Sequence, residues 1–227
     1  KRQAILNYTY GTNGIKATPP NIVNYINKET ILKDIHSAQA VRPDAIIACM
    51  HWGEEYQSLP NREQRELADW LLEQGVTHII GSHPHVIQPM ELREEGNRQH
   101  AVVYSLGNFI SNMSAANTDG GLIFTLQLEK YPLPSPIHPL QGRLSYSPLP
   151  DSFIPSFPFS RVAQCGYTLV WTARPTLTGG KNYILYPSYS PIDQLPQAAR
   201  NRLNIFTKNS REFLFKHNTG CLLYTSD

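Results

Sequence analysis

The run Ala45-Ile46-Ile47-Ala48-Cys49-Met50 offers no polar residue to either face of a strand. Side chains alternate across a sheet, so a strand apolar at every position calls for cover on both sides. That requirement points to a layered α/β fold built on a largely parallel sheet. The neighbouring segments supply the other parts. Residues 4–10 read as a first strand, closed by the turn sequence Gly11-Thr12-Asn13-Gly14. Between residues 28 and 40, Ile31, Leu32, Ile35 and Ala38 recur at helical spacing. Asn61 and Gln64 form a capping-box-like start for a second helix. Its apolar stripe is Leu67, Trp70, Leu71 and Leu72, and Gly75 is a natural C′ residue. Residues 76–80, 100–106 and 121–129 read as further strands. Alternating strands and helices imply parallel pairing through right-handed crossovers.

Composition changes after Lys130. Residues 131–158 hold eight prolines, which regular helices and interior strands reject. Residues 131–160 therefore read as a surface excursion. Beyond it, residues 166–172 and 181–186 suggest a hairpin around Gly179-Gly180, a small accessory β segment. Residues 201–215 suggest a terminal helix. The tail from Cys221 to Asp227 resembles a translated sequencing adapter and is set aside; the other reading is a natural terminal strand. The chain opens at Lys1 without an initiator Met, so a missing start is expected, which would hide any signal peptide.

With 20 Lys and Arg against 18 Asp and Glu, the net charge is +2. No basic cluster is present, which excludes a dedicated nucleic-acid binder. No apolar run approaches the ~18 residues of a membrane helix. Cys49 reads as a small buried hydrophobe, and no cysteine spacing suggests a disulfide framework.

Polar, ligand-capable residues gather where strands end, the place where open α/β sheets build their sites. His51 closes the apolar run. It is either a metal or substrate group or a core histidine with a backbone partner. His83 and His85 straddle Pro84 just past a strand. An extended backbone would put both imidazoles on one side, and Pro84 biases His83 towards that geometry. Such a pair can grip zinc, iron or manganese, or it can be an ordinary surface loop. Glu54 and Glu55 follow His51, and adjacent residues point apart, so at most one faces the site. Gln88 and Glu91 are candidate partners that orient ligand groups or touch substrate. Asn108 either positions a ligand oxygen or closes a turn with Gly107.

Four ordered segments carry a family resemblance: Thr9-Tyr10-Gly11-Thr12-Asn13-Gly14, His51-Trp52-Gly53-Glu54-Glu55-Tyr56, Gly81-Ser82-His83-Pro84-His85-Val86 with Ile87-Gln88-Pro89-Met90-Glu91, and Tyr104-Ser105-Leu106-Gly107-Asn108-Phe109. Together, over residues 4–126, they resemble the CapA/PgsA capsule (poly-γ-glutamate) synthesis proteins, whose fold resembles that of calcineurin-like metallophosphoesterases. The resemblance implies that residues 1–130 are the C-terminal part of a layered α/β/β/α sandwich; residues 161–220 read from their own pattern as an accessory β-hairpin and terminal helix. It implies metal at His51, His83 and His85, with two divalent ions in the full-length parent. It favours Glu55 over Glu54 as the chemically active carboxylate, acting as proton shuttle, histidine orienter or cation binder. Gln88, Glu91 and Asn108 are read from their positions as candidate substrate-binding residues. The implied ligands are an anionic polymer or a phosphate-containing small substrate, with membrane synthase subunits as partners. The implied location is the cell envelope, outside the cytoplasm and anchored to the membrane in the parent. The family's upstream Gly-Asp, Asn-Leu-Glu and Asn-His segments do not precede His51 here. A metal-dependent phosphoesterase and a non-enzymatic polymer-binding scaffold are the competing functions.

Overall fold

The computed structural model describes residues 2–96, 98–113, 115–130 and 160–220, with the backbone of 222–223. The expectations for 131–159, and for most of the tail from 221, lie outside the described residues.

The first strands and helices form where their periodicity places them: β1 (Gln3–Thr9), α1 (Lys28–Ala40), β2 (Ala45–His51), α2 (Arg62–Glu73) and β3 (His78–Ser82). Asn27 caps α1 by accepting from the Thr30 N–H at 3.0 Å. At α2 the capping box is complete, Asn61 and Gln64 each bonding the other's backbone N–H. Gly75 ends it with φ +100°, a conformation that costs residues with a Cβ far more than glycine.

β1, β2, β3 and β5 (Arg98–Val103) run parallel, and β4 (Met90–Glu95) closes the sheet antiparallel to β5, giving the order β1-β2-β3-β5-β4. β4 alternates apolar and polar only from Met90 to Arg93 before ending in Glu94-Glu95, too short a pattern for its sequence to announce it. A second sheet orders β6 (Gly120–Lys130), β7 (Ser160–Ala173) and β8 (Ile184–Pro187) antiparallel. The turn α3 (Pro175–Thr178) stands in the expected hairpin, and β9 (Leu222–Leu223) pairs parallel with β7. β6, read from sequence as part of the first unit, belongs to this second sheet. The last helix, α4 (Gln197–His217), is longer than its pattern suggested. Among the described residues no helix is long and apolar enough to cross a membrane.

Two cores result. In one, Ile46, Ala48, Met50 and Ile79 of the first sheet meet Ile31, Ile35, Ala68 and Leu71 of α1 and α2. Each of the Ile, Leu and Met side chains contributes about 1.5–3 kcal/mol through burial, the alanines less. The other joins Met90 and Val103 of the first sheet to Leu169 and Trp171 of β7 and to Leu203 and Phe206 of α4. Full cover on both faces of β2 does not materialise. Ile47, Cys49 and His51 are only half-buried, so Cys49 is not the buried hydrophobe expected. The reason is position: the second core reaches the first sheet at β3, β5 and β4, while Ile5 on the neighbouring β1 is 67% exposed.

Candidate functional site

Strand register assembles the site. Thr9, His51 and Ser82 are aligned partners across β1, β2 and β3, so three parallel strands end at one level. Tyr10 and His83, the next residues on β1 and β3, leave the sheet at one edge beside His51. Tyr10 stacks on His51 with centroids 5.8 Å apart and lies 4.3 Å from His83. His51 and His83 are 4.7 Å apart, and His83 and His85 6.1 Å. Tyr56 stacks on His85 at 6.2 Å. Five rings therefore line one edge. Tyr10 and Tyr56 were not singled out from sequence. Tyr10 satisfies the same rule that flagged His51, a side chain directly after a strand.

Gly81 permits this approach. A Cβ there would lie 2.0 Å from the Tyr104 carbonyl oxygen and 2.6 Å from Trp52 Nε1. Those two atoms are hydrogen-bonded to each other at 2.9 Å.

The His-Pro-His loop is not extended. His83 has φ +105° and His85 φ +62°, and Tyr56 across from them has φ +65°. Positive φ is costly for residues with side chains and is sustained where the surroundings over-determine it. Here the Tyr56 N–H donates to the Pro84 carbonyl at 2.8 Å and the rings pack on one another. The two imidazoles come together, but through left-handed backbone rather than the period-two geometry expected.

Burial pushes the pKa of His51 and of His83 down, and neighbouring histidines push the same way. Both rings are therefore neutral at pH 7, with one N–H donor and one lone pair each. His51 Nδ1 lies 3.3 Å from Ser82 Oγ. Glu55 Oε1 lies 3.9 Å from His85 Nε2, with the Glu55 side chain 43% exposed.

The remaining candidates separate. Asn108 is buried and reaches His85, its Oδ1 2.9 Å from Nδ1. Gln88 is fully buried; its Oε1 accepts from Gln64 Nε2 at 2.9 Å and its Nε2 donates to the Gln57 carbonyl at 2.8 Å. Both ends of its amide are thus engaged inside the protein. Glu91 lies on β4 and accepts from Arg93 Nε at 2.6 Å, in a network with Asp69 and the Tyr104 hydroxyl. These contacts bring neither Gln88 nor Glu91 to the rings.

Neutral imidazoles suit a borderline transition metal. The geometry does not close on one: among the described residues no group of three or more His, Cys, Asp or Glu side chains is placed to hold an ion.

Residues 1–113 match the family model described as bacterial capsule synthesis protein PGA_cap. That stretch contains all five rings, Glu55 and Asn108. Residues 1–113 are thus similar to this family. The CapA-like stretch is 33% identical over 102 residues to the capsule biosynthesis protein CapA of Bacillus anthracis, covering 43% of this chain and 24% of that protein. It is 34% identical over 87 residues to the PGA biosynthesis protein CapA of Bacillus subtilis strain 168, covering 38% of this chain and 22% of that protein. The chain thus matches about a quarter of the length of these relatives.

Proposed function

We propose that this chain acts in capsule or poly-γ-glutamate biosynthesis at the cell envelope, and that its ring-lined sheet edge holds the anionic polymer. The observation that carries the reading is the meeting of Tyr10, His51 and His83, from the ends of three parallel strands, inside the CapA-like stretch. Phenol and neutral imidazole groups donate hydrogen bonds to carboxylates without a fixed charge, and partial burial strengthens such bonds. Membrane synthase subunits are the partners this role calls for. A zinc, manganese or iron ion at His51, His83 and His85, with Glu55 as proton shuttle, belongs to the enzymatic form of the reading. Among the described residues the donor set does not close on that ion, and the polymer-binding reading rests on the rings alone.

Calorimetric titration of the chain with poly-γ-glutamate tests the reading. Saturable binding that His83→Ala weakens at least about tenfold, or about 1.4 kcal/mol, supports it. No heat of binding at millimolar polymer removes it. Bound transition metal together with turnover of a phosphodiester would replace it with the phosphoesterase reading.

A further inference from the structure

We propose that Asn108 is a positioning residue that fixes the His85 proton on Nδ1 and leaves the Nε2 lone pair facing Glu55. Asn108 Nδ2 lies 2.8 Å from the Thr118 carbonyl oxygen. A carbonyl only accepts, so this end of the amide is the NH2 group. The other end, Oδ1, also only accepts, and it lies 2.9 Å from His85 Nδ1. His85 Nδ1 therefore carries a hydrogen, and in the neutral ring Nε2 is the acceptor.

The backbone holds this relay in place. The Asn108 N–H donates to the Gly120 carbonyl at 3.0 Å. A Cβ on Gly121 would lie 2.5 Å from the Asn108 carbonyl oxygen, so the two segments are in close contact. Asn108 itself is only 8% exposed. The polar group most able to rotate the ring is thus itself clamped.

One consequence concerns the ligand. In the neutral ring, His85 Nε2 and Glu55 Oε1 are two acceptors 3.9 Å apart. Such a pair takes a hydrogen-bond donor, for example the amide N–H of a polyamide, and disfavours a bare anionic oxygen. This consequence rests on the polymer reading above; the tautomer does not.

Long-range proton–nitrogen correlation of the imidazoles, on the 15N-labelled 227-residue chain at neutral pH, decides it. His85→Gln identifies the resonances by their loss. The expected result is a hydrogen on Nδ1 in the wild type, loss of that preference in Asn108→Ala, and its retention in Asn108→Asp, whose carboxylate still accepts. A wild-type His85 protonated on Nε2 overturns the proposal, as does an unchanged pattern in a folded Asn108→Ala. If Asn108→Ala does not fold, the wild-type and Asn108→Asp spectra decide alone. Adding poly-γ-glutamate to the same sample separates the two readings. If no imidazole resonance moves while Nδ1 stays protonated, the polymer reading falls and the role of Asn108 stands.

Discussion

Gln64 and Gln88 are joined amide to amide in the interior, Gln64 Nε2 donating to Gln88 Oε1 across 2.9 Å. The same Gln64 closes the cap of α2 through Asn61, and Gln88 passes the chain of bonds on to the Gln57 carbonyl. Three pieces that surround the ring cluster are thereby tied: the start of α2, the loop after His51 and the loop after His85. Gln88→Leu keeps the volume and leaves Gln64 Nε2 and the Gln57 carbonyl without partners. Gln64 Nε2 is buried, and a buried group left so costs roughly 1–3 kcal/mol, whereas Gln57 is exposed and its carbonyl can turn to water, so a loss of about 1–3 kcal/mol is expected in urea unfolding. A loss below about 0.5 kcal/mol, the range of an ordinary surface change, would contradict a structural role for Gln88.

Gly81 has φ in an ordinary range for any residue; its constraint is space. Gly81→Ala would force a Cβ to within 2.0 Å of backbone oxygen, which cannot rotate aside as a side chain would. Overpacking of this kind costs about 1–3 kcal/mol or more. Denaturant unfolding should show that loss, and near-UV circular dichroism should show a changed Trp52 environment. A variant as stable as the wild type would mean that β3 and the Tyr104 segment separate without cost.

Asp119 anchors α4 to the second sheet. It accepts from Trp171 Nε1 at 3.0 Å and from Arg202 at 2.6 and 2.8 Å, in a two-pronged pair. Asp119→Ala strands a buried indole N–H and unpairs the guanidinium. Arg202 is 38% exposed, and water partly compensates it, so about 2–3 kcal/mol is expected rather than the full cost of a buried pair. Thermal unfolding checks this. A shift within the scatter of surface variants would show that apolar contacts alone seat α4.

His78 sets an acid limit on stability. Burial first, and His100 second, push its pKa down to about 3. Its Nδ1 accepts from the Ala101 N–H at 3.1 Å, which requires the neutral ring. The unfolded chain takes up a proton below about pH 6.5, whereas the folded chain does so only near the lowered value. Stability therefore falls as pH drops from about 6.5 towards 3, by up to about 1.4 kcal/mol per unit from this group. His100, whose pKa burial also lowers, acts in the same direction. Unfolding free energies from pH 7 to 4 should show this slope, and His78→Asn, which keeps an acceptor for Ala101, should flatten it. An equal slope in that variant would assign the acid sensitivity elsewhere.

Much of the frame was legible because it is encoded locally. The helical spacing of Ile31, Ile35 and Ala38, the reciprocal cap of Asn61 and Gln64, and the glycine that ends α2 each act within a few residues. The strand ends at His51 and Ser82 were near where apolar runs stopped. β4 was not legible: its pairing with β5, rather than its own pattern, makes it a strand. Nor could residue type separate Gln88 from Asn108. Both are polar amides beside a loop, yet one is spent on the interior and the other orients a histidine.

Periodicity and capping follow from the chain's own chemistry, so the α/β class, both early helices and the histidines at strand ends were readable one residue after another. Which rings meet was not. Tyr10, His51 and His83 come together only because β1, β2 and β3 lie side by side with Thr9, His51 and Ser82 in register. The left-handed turn at His83 and His85 likewise depends on Tyr56 and Asn108, which reach them from other segments. Register and such cross-segment contacts are chosen by the packing of the whole core, in which residues far apart in the chain decide one another's positions.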